Sequence, residues 1–268
     1  MIKKLVMALF LFVLVSCSSN NGSKYSVVMS NDATEKINSI LNHQIMLNHN
    51  SNRAELIDYI SASFLETPYV SNTLIGSSNQ KEALVVNFDG VDCFTYIDYV
   101  VALSKASDVS SFFNALIDVR YKDSDVNYYH RKHFFTDWYS VSPQNAVDVT
   151  ALISPNAITL KKLLNKKSDG DEFIRGLGGI PRTITYIPRN AINQDVLDNL
   201  RQGDLVGVYS PIDGLDVSHT GIVIKKDNQV LYRNASFLSE NNKVVDVPFA
   251  EYMGSKPGII VLRVKDKN

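Results

Sequence analysis

The order in which helical and strand patterns follow each other along this chain is the feature that most limits its fold. In the first half, apolar residues recur every three or four positions, as on the buried face of a helix. After Gly203 the pattern changes to short runs rich in β-branched residues, which are typical of strands. The predicted helices cover 32–47, 53–65, 93–104 and 110–119, and the predicted strands cover 204–209, 220–225, 230–234 and 259–264. This order predicts an α+β fold, with a helical N-terminal half packed on a C-terminal antiparallel sheet.

The segment between these two halves is less regular. Residues 121–201 have a mixed pattern and are predicted to be an insertion in one domain that spans 31–268. Prolines are expected to divide the segment into short pieces, at Pro143, Pro155, Pro181 and Pro188. Within the strand half, Asp227-Asn228 separates two predicted strands and indicates a hairpin turn.

One cysteine, Cys93, lies in the body of the chain, at the predicted start of a helix. Unpaired N–H groups and the helix dipole stabilise negative charge there, so we expect a lowered thiol pKa. His219 begins one predicted strand and Asn234 ends the next, so hairpin pairing would bring them together. A thiol, an imidazole and an amide are what a cysteine hydrolase needs to attack a carbonyl, carry the proton and orient the ring. The alternatives are an inert buried thiol, an ordinary strand-end histidine and a turn asparagine.

The N-terminus is typical of an exported protein. Lys3-Lys4 precedes an apolar run over 5–15, which is too short to span the ~30 Å of a bilayer core. The run ends in Leu-Val-Ser-Cys17, which resembles the lipobox of bacterial lipoproteins. That resemblance implies a lipoprotein signal peptide over 1–16 and a lipid on Cys17, whereas the alternative is an ordinary signal peptide with an incidental cysteine. Residues 17–30 are polar and are predicted to be a flexible tether.

Composition and missing motifs exclude several function classes. The formal net charge is −1, and no basic patch or acidic tail suggests a nucleic-acid partner. The sequence has no P-loop, no glycine-rich dinucleotide fingerprint and no Cys-x-x-Cys pair. We therefore expect no cofactor, no resident metal and no obligate protein partner. Ser18 after Cys17 is consistent with a lipoprotein anchored in the outer membrane and facing the periplasm.

Several short motifs occur in the order found in a known superfamily. They are Thr67-Pro68-Tyr69, Asp92-Cys93-Phe94-Thr95, His133-Phe134-Phe135-Thr136-Asp137-Trp138, 200–204 (Leu-Arg-Gln-Gly-Asp), 214–221 (Gly-Leu-Asp-Val-Ser-His-Thr-Gly) and Val245-Asp246-Val247-Pro248. Over about 56–264 the chain resembles the NlpC superfamily of papain-fold cell-wall hydrolases, and within it the branch of N-acetylmuramoyl-L-alanine amidases. The resemblance implies a papain-like fold. It also implies hydrolysis of the amide between N-acetylmuramic acid and L-alanine, in small 1,6-anhydro muropeptides, through a cysteine thioester.

The resemblance also implies roles for individual residues. Cys93 becomes the nucleophile, His219 the general base and acid, and Asn234 the group that orients the imidazole. Tyr69, Asp92 and Ser218 are expected to lie beside the scissile amide, with the Cys93 N–H as an oxyanion donor and Tyr69 as a candidate second one. Some positions depart from the family pattern: Glu66 replaces a glycine, Tyr96 and Asp98 replace Phe and Glu, and position 234 often holds His.

The middle segment offers two interpretations of its aromatic and histidine residues. His133 and Trp138 are expected to line the substrate cleft or to pack the insertion, and the wide Trp138 ring suits stacking on a sugar. Alternatively, His130, His133 and Asp137 have a spacing that could bind a metal, although no general base accompanies them.

Other functions fit the same residues. An endopeptidase that cuts within the stem peptide would share the Cys93, His219 and Asn234 set, whereas a transglutaminase-like enzyme would use an aspartate as the third group. A lipoprotein that binds muropeptides without cleaving them would keep the fold but not a reactive thiol.

Overall fold

Helices precede an antiparallel sheet along the chain, as the sequence pattern predicts. The computed structural model describes residues 25–46 and 52–265, so the predicted signal peptide 1–16 and Cys17 lie outside the described residues. The α-helices are α1 Ala33–Met46, α2 Arg53–Ala62, α3 Cys93–Lys105, α4 Val109–Arg120, α5 Asp137–Ser140, α6 Thr150–Ile153, α7 Gln194–Asn199 and α8 Phe249–Met253. The strands are β1 Ser26–Met29, β2 Ala83–Val86, β3 Ala146–Asp148, β4 Ile158–Leu164, β5 Ile180–Pro188, β6 Leu205–Tyr209, β7 Val217–Lys226, β8 Gln229–Ala235, β9 Val244–Pro248 and β10 Gly258–Val264.

The main sheet is antiparallel. Within the described residues its strand order is β4-β5-β10-β6-β7-β8-β9, and β3 pairs with β10 as an eighth strand. Strands β1 and β2 form a separate parallel pair. The mixed segment 121–201 therefore supplies β3, β4 and β5 to the same sheet that the C-terminal strands build. The predicted α+β class, with helices and an antiparallel sheet, is confirmed.

Both faces of the sheet are covered, which explains why β6 and β10 are apolar along almost their whole length. On β10, Ile260 and Leu262 join the core that the long helices cover, whereas Ile259 and Val261 join a second core. Helix α3 lies in the first core and is buried from Thr95 to Ser104. Successive strand residues point to opposite faces, so a sheet covered twice needs apolar residues at every position.

The β7–β8 hairpin forms at the predicted turn. Lys226 pairs with Gln229, and the two residues between them, Asp227 and Asn228, have φ angles of 51° and 62°. Two consecutive residues with positive φ match the twist of the flanking strands, and Asn and Asp tolerate this region best after glycine. The turn fixes the register of the strands that carry His219 and Asn234.

Two predictions from the sequence are wrong in part. Residues 26–29 are not a flexible tether, because they form β1 and pair in register with β2, from Ser26 opposite Ala83 to Met29 opposite Val86. Pro181 does not interrupt the mixed segment either, because it is the second residue of β5, whereas Pro188 ends that strand as expected. Proline is tolerated at strand ends, where a missing N–H removes the fewest ladder bonds.

The described helices can also be compared with the requirements for a membrane-spanning helix. In 25–46 and 52–265 no helix has the length and apolar character needed to cross a bilayer.

Candidate active site

Cys93 is the first residue of α3, and the residue before it caps the helix. Asp92 Oδ1 accepts hydrogen bonds from the Phe94 N–H at 3.0 Å and from the Thr95 N–H at 2.7 Å. The Thr95 hydroxyl in turn accepts the Asp92 N–H at 3.0 Å, which completes a capping box. The local sequence Asp-Cys-Phe-Thr therefore fixes the helix start and places the half-buried Cys93 at its first turn.

His219 and Asn234 lie on β7 and β8 and are hydrogen-bonded to each other. The distance from His219 Nε2 to Asn234 Oδ1 is 2.9 Å, and the Asn234 amide nitrogen donates to the Tyr232 carbonyl at 3.3 Å. Since the amide nitrogen already acts as a donor, the oxygen must accept from His219, so Nε2 carries the proton. His219 Nδ1 is buried and has no hydrogen-bond partner within the described residues. In the neutral imidazole, Nδ1 is therefore the nitrogen that can accept a proton.

Contacts between α3 and β7 bring the start of α3, where Cys93 lies, against the strand that carries His219. The Thr220 hydroxyl, next to His219 in sequence, donates to the Cys93 carbonyl at 2.7 Å. The rings of Tyr232 and Tyr252 each lie 6.2 Å from the His219 ring. Burial raises the pKa of Tyr252 to about 12, and a negative charge on Cys93 contributes to this shift. The start of α3 and the His219 ring thus lie on the same side of the site, joined by the Thr220 hydroxyl.

The charge states of the two groups differ from the sequence-based expectation. Burial, followed by the Asp92 carboxylate, raises the pKa of Cys93 to about 11, although hydrogen bonds from Thr220 act in the opposite direction. The expected lowering by the helix N-terminus is therefore wrong, because desolvation of the thiolate outweighs it. Burial also lowers the pKa of His219, against hydrogen bonding by Asn234, which raises it. At neutral pH the pair consists of a thiol and a neutral imidazole.

Two further expected site residues lie close to this pair. Tyr69 forms a bridge with Val91 beside the start of α3, and its ring lies 6.2 Å from the exposed ring of Phe237. Burial raises the pKa of Tyr69, and charges at Cys93 and Asp92 raise it further. Ser218 is exposed and immediately precedes His219, where the pairing of β6 with β7 shifts register.

The two residues of the middle segment that were expected in the cleft, His133 and Trp138, lie in different surroundings. His133 and Asp92 line one cavity of about 210 Å³. Burial lowers the pKa of His133 to about 4, so the imidazole is neutral, and its Nε2 lies 2.8 Å from the Tyr128 carbonyl. Trp138 is fully buried and packs against Phe94, so it cannot stack on a sugar and serves the packing of the middle segment instead.

The side chains of the alternative metal site make contacts with other groups of the protein. His130 Nδ1 lies 3.0 Å from Asp125, and Asp137 is paired with Arg182 at 2.7 Å. In the part of the chain that the structure describes, no three His, Cys, Asp or Glu side chains form a group that could hold a metal ion.

Sequence reasoning missed the aromatic and cationic residues around His219. Phe237 lies 5.6 Å from the imidazole, ring to ring, and its side chain is 54% exposed, which is unusual for phenylalanine. Tyr252 on α8 and Lys256 after it reach the site from the end of the chain. No local motif marks them, because their position depends on how α8 packs on β8.

The chain is similar to proteins of known structure and to one protein family. No curated protein matches it significantly. A Legionella pneumophila protein of known crystal structure is 24% identical, with a TM-score of 0.76 over 88% of this chain and 95% of that chain, which shows the fold alone. A crystal structure named as an N-acetylmuramoyl-L-alanine amidase from Bacteroides uniformis is 28% identical, with a TM-score of 0.68 over 81% of this chain and 100% of that chain. The model of the AmiA-like family, described as N-acetylmuramoyl-L-alanine amidase-like, matches residues 59–259. This match covers most of the domain, and the chain therefore belongs to the AmiA-like family of N-acetylmuramoyl-L-alanine amidase-like peptidoglycan hydrolases.

Proposed function

We propose that the chain is a cysteine amidase of the NlpC superfamily, with a papain-like arrangement of Cys93, His219 and Asn234. The observation that carries this proposal is the imidazole of His219, whose Nε2 is held by Asn234 at 2.9 Å while its buried Nδ1 has no hydrogen-bond partner in the part of the chain that the structure describes. Helix α3, which begins at Cys93, contacts the strand of His219 through the Thr220 hydroxyl, and a free basic nitrogen on that strand is suited to take and return the proton of the thiol.

The first chemical step begins from a neutral pair. As Cys93 Sγ attacks the carbonyl carbon of the muramoyl lactyl group, the thiol proton passes to His219 Nδ1. The negative charge moves to the carbonyl oxygen of the tetrahedral intermediate. The Cys93 N–H is one of the helix-start groups that lack an intrahelical acceptor, so it can donate to this oxygen. The Tyr69 hydroxyl is the candidate for the second donor.

The second step releases the peptide. The protonated His219 donates its Nδ1 proton to the nitrogen of L-alanine while the carbon–nitrogen bond breaks, which leaves the muramoyl group as a thioester on Cys93. Water then attacks the thioester, with His219 as the base, and the thiol is regenerated. Asn234 keeps the ring in one orientation through all of these transfers.

The choice of bond is supported by the family match and by the name of the Bacteroides uniformis structure. We propose the amide between N-acetylmuramic acid and L-alanine as the scissile bond, in small 1,6-anhydro muropeptides of wall turnover or recycling. An endopeptidase that cuts within the stem peptide would use the same three residues. The reaction products must therefore distinguish the amidase from the endopeptidase.

The test is mass spectrometry of the products from one defined 1,6-anhydro muropeptide. The expected products are free 1,6-anhydro-N-acetylmuramic acid and an intact stem peptide that begins with L-alanine. Cys93→Ala should give neither product, and His219→Ala should be nearly as inactive. Cleavage between stem residues would contradict the amidase proposal and favour the endopeptidase. Tight binding without cleavage would favour the binding lipoprotein.

We propose further that the chain is an exported lipoprotein anchored through Cys17 in the outer membrane and facing the periplasm. The proposal is supported by the resemblance of Leu-Val-Ser-Cys17 to a lipobox. One added lipid group contributes about 0.8 kcal/mol per buried methylene, so the anchor depends on the lipid. Cys17→Ser should move the protein from the membrane fraction to the soluble fraction. Retention in the membrane would contradict lipid anchoring at this residue.

A further inference from the structure

Lys256 is a cation near the proposed active site that has no ionic partner among the described residues. It lies in the turn between α8 and β10, and its Nζ is 4.6 Å from the centre of the Tyr252 ring. The Tyr252 ring lies 6.2 Å from the His219 ring. None of the ion pairs among residues 25–46 and 52–265 includes Lys256. The half-buried ammonium is therefore available to an anion from outside the chain.

The charge of Lys256 opposes the chemistry of the site as it stands. Burial is the largest effect that lowers the pKa of His219, and the charge of Lys256 lowers it further. Asn234 and Asp92 act in the opposite direction and raise it. Since His219 must become a cation during the reaction, a second cation next to it makes proton acceptance harder. An anion bound at Lys256 would offset this repulsion whenever substrate is present.

The position of Lys256 also indicates which part of a substrate it faces. A histidine that returns its proton to the leaving amine must lie against that amine. The peptide continues from this nitrogen, whereas the muramoyl group lies on the other side of the scissile bond. Lys256 contacts Tyr252, whose ring lies 6.2 Å from that of His219, so it lies on the His219 side of the site, which is the peptide side.

The chemistry of the stem peptide supplies one anion at a suitable distance. In peptidoglycan, L-alanine is followed by D-glutamate, which is joined onward through its γ carboxyl and keeps a free α-carboxylate. This carboxylate lies roughly 6 Å from the leaving nitrogen along an extended chain. A lysine side chain with four methylenes can adjust to such a group.

We propose that Lys256 forms a subsite for the free α-carboxylate of the second stem residue. The proposal rests on the proposed amidase function. Lys256 then selects substrates in which this carboxyl is unmodified, and binding of the peptide prepares His219 to accept the thiol proton.

The test compares two 1,6-anhydro-muramoyl tripeptides with the stem L-Ala-γ-D-Glu-L-Lys, which differ only in whether the α carboxyl of D-Glu is free or a carboxamide. Wild-type protein should show a kcat/KM roughly tenfold higher for the carboxylate form. Lys256→Met should lose this preference, because the carboxylate form loses its ionic partner and the carboxamide form no longer meets an unbalanced cation near His219, and Lys256→Arg should keep most of it. Lys161→Met is the control, because it removes an exposed lysine from β4, at the far edge of the sheet. It should behave as wild type.

Equal kcat/KM for the two substrates in wild-type protein would overturn the subsite, as would a preference that survives in Lys256→Met. Binding separates this inference from the amidase proposal. Calorimetry on Cys93→Ala protein should show tighter binding of the carboxylate form, and Cys93→Ala/Lys256→Met should bind both forms equally. If the muramoyl–alanine bond stays intact but this difference is found, the amidase proposal fails and the subsite stands. Equal binding of both forms to Cys93→Ala protein overturns the subsite.

Discussion

The 2.9 Å hydrogen bond between His219 Nε2 and Asn234 Oδ1 assigns different roles to the two nitrogens of the imidazole. Because Asn234 accepts, Nε2 carries a proton in the neutral ring, and the unpartnered Nδ1 becomes the basic nitrogen. The amide side chain is neutral, so it fixes the ring without stabilising the imidazolium as strongly as a carboxylate would.

Asn234→Ala tests this orienting role. We expect a fall in kcat of about 10- to 10³-fold with little change in KM, because orientation contributes to proton transfer and not to ground-state binding. The loss should stay below the ~10⁴-fold that follows from disturbing a carboxylate partner. Steady-state kinetics on one defined muropeptide measure both constants, with Asn234→His as a variant that can still contact the ring. Wild-type kcat in a folded Asn234→Ala protein would show that another residue orients His219.

The neutral resting pair predicts a particular pH dependence. Catalysis needs neutral His219, whose pKa is lowered from 6.5, so kcat/KM should persist below pH 6.5 and fall only as pH drops through the lowered value. The thiol of Cys93 has a pKa of about 11, so its alkylation rate should keep rising between pH 7 and pH 10.

Asp92→Asn is the matched variant for this prediction, because asparagine also caps helices well. Removal of the carboxylate charge lowers the pKa of both Cys93 and His219. Alkylation by iodoacetamide at pH 8 should therefore become faster, and the acid limb of kcat/KM should move to lower pH. Fast alkylation of wild-type protein at pH 6 that does not change with pH would instead indicate a thiolate–imidazolium pair.

Chelation distinguishes the thiol mechanism from a metal mechanism. If Cys93 carries the reaction, EDTA should leave turnover of a muropeptide unchanged, whereas alkylation of the thiol should abolish it. His130 and His133 are engaged by Asp125 and by the Tyr128 carbonyl, which supports this expectation. Loss of activity in EDTA that zinc restores would favour a metal mechanism.

The ion pair between Asp98 and Arg120 predicts a large effect on stability. Arg120 Nε lies 2.7 Å from Asp98 Oδ2, and each side chain is only 3% exposed. Asp98→Ala would leave the guanidinium charge buried and unpaired, so we expect a loss of about 3–5 kcal/mol in the free energy of unfolding. Urea denaturation measures it. Glu66→Gln, which breaks the exposed pair with Lys243, should change stability very little and serves as the control. Equal midpoints for the two variants would contradict the prediction.

Local sequence determined the elements that carry the three proposed catalytic residues. Asp92 and Thr95 are three residues apart and form the capping box that starts α3 at Cys93. Asp227-Asn228 supplies the two positive φ angles that the β7–β8 turn requires. These features depend on contacts within a few residues, so the sequence was sufficient to predict the start of the helix at Cys93 and the hairpin turn, together with the order of helices and strands.

The tertiary structure decided what surrounds those residues. The helix N-terminus favours a thiolate, but burial of Cys93 by distant parts of the chain reverses the effect and raises its pKa to about 11. Trp138, whose ring suits a sugar, lies instead in the core against Phe94. Tyr252, which Lys256 contacts, comes within 6.2 Å of the His219 ring only because α8 packs on β8. Desolvation and side-chain packing depend on contacts between segments far apart in the sequence, and no local pattern contains that information.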